Sequence, residues 1–204
     1  ADSVISALTP AAWYRNATNV VQSGGFASLW GDYAGTTKGL VLQGVAGNNA
    51  STPNSSAVDI TGDIDLICRF YVDDVTPAGT QAMIGKFAAG SDNYMFVFTT
   101  DGKLGFWGTG DTDKRATVAA SVTDRQIFWG RCTKNTTTGD INFYTAADST
   151  TIPTSWTQLG TTVAGATGPR TAAPTESLYI GARNSGTTSI MSGGVLRASV
   201  KAGV

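Results

Sequence analysis

Three residues in one short stretch, "FWGTGDTDKRAT", offer chemistry: Trp107, Asp111 and Asp113. Two carboxylates at i, i+2 are the spacing of an oxygen-ligand loop for calcium. A tryptophan beside them could stack on a sugar ring. The later ligands of an EF-type loop are missing, and Lys114 and Arg115 follow at once, so the stretch reads better as a solvated hairpin tip. Calcium stays the metal to consider, without a clear ligand set, and no cofactor is expected. Trp107, Asp111 and Asp113 remain the candidate ligand-binding residues. Trp129, Trp156, Tyr144 and Phe143 are the other aromatics that could form a sugar-stacking face or fill a core.

Catalytic sets are sparse. A glycosidase needs two carboxylates across the scissile bond. The single glutamate, Glu176, excludes a Glu-x-Asp-x-x-Glu strand. Asp63 and Asp65 share a spacing of two, but strand-start residues facing solvent or capping a turn account for them. The chain has no histidine, which removes Ser-His-Asp and Cys-His arrangements. Cys132 follows Arg131, yet neighbours on a strand point to opposite faces. Cys68 and Cys132 read as small buried hydrophobes in mid-strand, and a zinc site has no ligand set. No enzyme activity is expected. The glycines of "GARNSG" and "GVAGNN" open no helix, so phosphate binding finds no support.

The elements that must position these residues are strands. The chain has 204 residues, 25 of them glycine, with 14% charged side chains and a net charge of −1. Turn signals recur every eight to twelve residues, as in a sandwich or jelly roll. Residues 63–73 alternate cleanly, with Ile64, Leu66, Cys68, Phe70 and Val72 on one face. In "NYMFVF" both alternating sets are apolar, which predicts a central strand covered on both sides. Asp101-Gly102 between apolar runs predicts a hairpin. Further strands are expected at 81–88, 103–109, 115–121, 125–134, 140–146, 155–163, 176–183 and 194–200. Residues 1–45 read as an N-terminal arm with edge strands, anchored by Trp13 and Trp30, and residues 46–204 as one sandwich domain. Basic residues are scattered singly, against nucleic-acid binding. No run of 18 apolar residues suggests a membrane span. The first residue is not Met and the end follows directly on a strand pattern, so more chain is expected to follow.

The segment "INFYTAADSTTIPTSWTQLGT" resembles one in concanavalin A-like/laminin-G-like domains of bacteriophage virion proteins. So do "ASTPNSSAVDITGDIDLICRFYVDDVTPAG", "AMIGKF" with "NYMFVFTTDGKLGFW", "FWGRCTKNTTTGDINFYT" and "LYIGARNSGTTSIMSGGVLRASV". The resemblance covers about residues 45–200 and implies an all-β, two-sheet antiparallel jelly-roll sandwich. It also implies a non-enzymatic structural protein of the virion, decorating the head or associated with the tail. Its partners would be other capsid or tail proteins, and it would form a homo-oligomer, taken as a trimer. The alternative is a lectin-like module binding host or environmental glycans. The tip "ADSTTIPTS" is longer than the family's usual Asp-Gly turn and is expected to contact something. Phe143 should face one side of its strand and Tyr144 the other, with Trp156 packing across the hairpin.

Overall fold

The computed structural model describes residues 30–33, 37–88 and 90–204. Two antiparallel sheets face each other, and the described residues include no helix. The first sheet has the path β1 (Trp30–Tyr33), β2 (Thr37–Gln43), β14 (Ser192–Ala202), β4 (Ile64–Val72), β9 (Phe128–Lys134), β10 (Asp140–Ala147) and β11 (Thr157–Gln158). A short β12 (Val163–Ala164) also pairs with β10. The second sheet runs β3 (Ala50–Thr52), β13 (Leu178–Ile180), β5 (Gln81–Ala88), β6 (Ser91–Phe98), β7 (Leu104–Gly108) and β8 (Asp111–Arg115). The arm at residues 1–29, with Trp13, lies outside the described residues.

Alternation builds the core. Ile64, Leu66, Cys68, Phe70 and Val72 of β4 face Tyr94, Phe96 and Phe98 of β6 and Leu104 and Phe106 of β7, all in one buried cluster. Phe70 meets Phe98 edge-on at 6.1 Å and tilts against Phe128 at 4.5 Å, the separations aromatic pairs prefer. On the other face of β6, Met95 and Val97 join Ala82 and Phe87 in a second buried cluster, with Trp107 against it. The central, two-sided placement of "NYMFVF" is therefore what the structure shows.

Cys68 and Cys132 are free and fully buried on the inner face. Burial pushes both thiols well above their ordinary pKa, because a thiolate there would be desolvated. Neither is expected to react with a disulfide reagent at pH 8 in the folded chain, whereas both should react in denaturant. Reaction of either thiol in the native protein at the unfolded rate would contradict this placement.

Two expectations need correction. Residues 116–121 form no strand, and the edge strand of the second sheet is β8, Asp111–Arg115. Charged residues suit an edge, where they discourage pairing with another chain, so a polar run that resembles a loop is a strand here. Residues 155–163 form two very short strands, β11 and β12, instead of one. The β6–β7 hairpin does turn at Asp101-Gly102: Gly102 has φ +72°, a conformation in which glycine carries no steric penalty.

That turn also has an acid-sensitive carboxylate. The Thr99 hydroxyl bonds Asp101 at 2.6 Å and Lys103 pairs with it at 2.9 Å. The hydroxyl bond and, against some desolvation, the Lys103 charge lower its pKa to about 2. A lowered folded pKa contributes stability that is complete above about pH 4 and fades as pH falls toward the folded value. Asp101→Asn should lower stability at neutrality, flatten the fall in stability in that window, and converge with the parent below about pH 2, as read by denaturation midpoints across pH.

Candidate functional site

The outer face of the first sheet carries the most developed polar and aromatic array. Register lines up one row across four strands: Ser199 of β14, Ile67 of β4, Arg131 of β9 and Tyr144 of β10, extended by Gln158 of β11. A second row holds Arg197, Arg69, Trp129 and Ala146, and a third Lys201, Asp65, Thr133 and Asn142. Residues opposite one another in antiparallel strands share a face, so period-two alternation fixes these rows once the register is set.

Arg131 is the centre. Its Nε and Nη2 donate to the two oxygens of Asp65 at 2.8 and 2.9 Å. This fork-to-carboxylate geometry is the strong form of the pair. Hydrogen bonds from the guanidinium to Asp65 also raise the Arg131 pKa. The guanidinium carbon lies 5.5 Å from the Tyr144 ring centroid and 5.7 Å from that of Trp156, within cation–π range. Arg131 is one-quarter exposed, and Nη1 makes no hydrogen bond among the described residues. Tyr144 and Trp156 are half-buried.

The tip "ADSTTIPTS" folds back over its own sheet. Asp148 takes both ends of the Arg69 fork, at 2.7 and 3.1 Å. The Ser149 carbonyl accepts from Trp129 Nε1 at 3.0 Å. Trp156, just past the tip, meets Trp129 edge-on at 6.5 Å. Trp129 points away from the inter-sheet core yet is completely buried by this cover. As the alternation predicts, Phe143 is fully buried in the core, Tyr144 is on the outer face, and Trp156 packs across the hairpin.

The residues singled out from the sequence fall elsewhere and do not converge. Trp107 sits on the outer face of the other sheet, edge-on to Phe87 at 6.2 Å, with the Arg183 guanidinium 5.2 Å over its ring. Asp111 is not at a solvated tip. It is fully buried, with Lys134 Nζ 3.1 Å from Oδ2 and the Ala166 N–H donating to Oδ1 at 2.6 Å. Asp113 is exposed and bonds Arg115 at 2.6 and 2.8 Å. The pairing slips by one residue between Phe106 and Gly108, and Asp113 has φ +54°. An extra residue of this kind breaks the i, i+2 alternation, so the two carboxylates part. Asp63 and Asp65 part as well: Asp63 caps the turn at Thr136 with two bonds of 2.7 Å, while Asp65 is buried against Arg131. Among the described residues, no group of His, Cys, Asp and Glu side chains could hold a metal ion.

Arg131, which joins Asp65, Tyr144 and Trp156, is the candidate that the sequence alone did not single out. The signal was present: the Asn135–Gly139 turn sets a register that puts Arg131 opposite Tyr144.

No protein family and no curated protein matches the chain. Solved structures do match it, at low identity. The sialidase CBM40 of Ruminococcus gnavus, bound to α2,3 sialyllactose, is 9% identical with a TM-score of 0.51, covering 74% of this chain and 88% of that one. A heptameric SAP-like pentraxin from Limulus polyphemus is 13% identical with a TM-score of 0.49, and 70% of this chain is covered. The match spans 65% of the pentraxin's length. Trypanosoma rangeli sialidase in complex with the inhibitor DANA is 14% identical with a TM-score of 0.48, with 26% of that chain covered. At these identities the likeness concerns the fold alone: the chain is a two-sheet antiparallel jelly-roll sandwich.

Proposed function

We propose that this chain is a non-enzymatic carbohydrate-binding module whose platform is the Arg131, Tyr144 and Trp156 face of the first sheet. The observation that carries this reading is the pair of half-buried rings within cation–π range of a guanidinium whose fork is already fixed by Asp65. A preset site loses little side-chain freedom on binding. The rings can stack on the apolar faces of a sugar, and Arg131 Nη1, Asn142 and Gln158 supply hydrogen bonds to hydroxyls.

Catalysis at this face is opposed by its own carboxylates. Asp65 and Asp148 each accept two bonds from an arginine, which leaves neither poised as a general acid.

The test is a glycan array followed by calorimetric titration of the hits, with and without calcium. Trp156→Ala should weaken binding about 10-fold, the effect of losing one stacking aromatic of about 1.4 kcal/mol. Unchanged affinity in both Trp156→Ala and Tyr144→Ala would place the site elsewhere.

The resemblance to virion domains supports a second reading, a structural protein of a bacteriophage particle acting through capsid or tail contacts as an oligomer. The two readings are compatible, since a particle-borne module could also bind glycans. A cryo-EM map of the particle with and without the chain separates them: density lost on deletion is expected if the virion reading holds.

A further inference from the structure

The arrangement at Trp156 occurs twice. On the first sheet, the partly exposed Trp156 meets the buried Trp129 edge-on at 6.5 Å, with the Arg131 guanidinium 5.7 Å from its ring. On the outer face of the second sheet, the partly exposed Trp107 meets the buried Phe87 edge-on at 6.2 Å, with the Arg183 guanidinium 5.2 Å from its ring. Register sets Trp107 opposite Met95, which belongs to the buried cluster beneath.

The backbone fixes Arg183 over these rings. Arg183 and Thr188 close a tight hairpin, and the Asn184 N–H ties it to β5 by donating to the Phe87 carbonyl at 3.3 Å. Arg183 Nε donates to Ser189 Oγ at 3.1 Å, and the guanidinium lies 5.4 Å from the Phe87 ring. Nη1 and Nη2 make no hydrogen bond or ion pair among the described residues. A planar guanidinium held beside an indole extends its flat surface and adds N–H donors at the edge.

Polar atoms around the cluster are also unpaired. Trp107 Nε1, Thr188 Oγ1 and Asp92 Oδ1 are buried and make no hydrogen bond among the described residues. Asp92 lies opposite Phe87 in the β5–β6 register, and Thr188 opposite Arg183. Buried polar groups ordinarily find partners. Sugar hydroxyls both donate and accept, and so match this mixed set.

Resting on the carbohydrate reading, we propose that Trp107, Phe87 and Arg183 form a second sugar platform. The two platforms look outward on opposite sides of a sandwich whose sheets stack about 10 Å apart. Each therefore takes its own glycan, and one chain joins two.

The test titrates the whole chain calorimetrically with cellotetraose, chitotetraose and maltotetraose, together with the hits of the glycan array. Two equivalents of a bound sugar per chain are expected. Trp107→Ala and Trp156→Ala should each weaken one equivalent about 10-fold and leave the other unchanged. Arg183→Gln keeps both rings of the second platform. It should weaken the same equivalent as Trp107→Ala severalfold, without changing the unfolding midpoint. A single equivalent, lost in Trp156→Ala and untouched in Trp107→Ala and Arg183→Gln, would overturn the second platform and leave the carbohydrate reading standing. No binding to any member overturns both.

Discussion

Asp111→Ala is expected to destabilise the fold by about 3–5 kcal/mol, the cost of leaving a buried partner charge uncompensated. Lys134 is 1% exposed and Asp111 fully buried, and together they join β9 of one sheet to β8 of the other. Their work is to hold irregular chain. The Lys134 ammonium donates to the Gly139 and Ala166 carbonyls at 3.0 and 2.6 Å, and Asp111 receives the Ala166 N–H. Further along, Asp59 accepts from the Ala173 N–H at 3.0 Å, Lys86 donates to the Ala173 carbonyl, and Asn93 to that of Thr171 at 2.8 Å. Residues 166–173 have no ladder to satisfy their backbone, and buried polar side chains take its place. Packing there is tight: a Cβ on Gly165 would come within 2.4 Å of Asp111 Oδ1 and 2.6 Å of Lys134 Nζ. Urea denaturation should show a lowered midpoint with an unchanged slope. The double change Asp111→Ala/Lys134→Met should recover part of the loss, since it removes the orphaned charge. A loss below about 1 kcal/mol in the single variant would mean that water reaches the site and the clamp is not what holds the segment.

Trp129→Ala should cost a similar amount, about 3–5 kcal/mol, as for other buried tryptophans. It would also remove the floor beneath Trp156 and one attachment of the 148–156 tip, so glycan binding should fall with it. Trp129→Phe separates the two contributions. It keeps most of the apolar contact with Trp156 but deletes the Nε1 bond to Ser149, a loss of about 1 kcal/mol. Binding in Trp129→Phe should stay close to the parent value. Retention of full affinity in a folded Trp129→Ala would show that the tip and its tryptophan do not shape the platform.

Arg131 shows how a site can be half legible. Strand periodicity around it was plain, as it was for Phe143 and Tyr144, and a hairpin turn fixed which residues oppose each other. Its partner Asp65 lies 66 residues away in sequence. Nothing local distinguishes an aspartate that faces water at a strand start from one that meets a guanidinium on the next strand. Trp107 and Trp156 illustrate the same point. Both are tryptophans beside turns, yet one lies under Arg183 on the second sheet and the other beside Arg131 on the first.

By itself, then, the sequence determined the β class, the inner and outer sets of each long strand, the buried thiols and the two-sided cover of β6. These follow from period-two alternation and turn chemistry, which act over a few residues. Only the tertiary structure decided that Asp111 is a buried clamp, that the long tip folds onto Trp129, and that Arg131 clusters with Tyr144 and Trp156. Each of these depends on which strands become neighbours and what lies across them. A charged side chain is buried only when a distant partner compensates its desolvation, and that partner is set by the pairing of the whole chain.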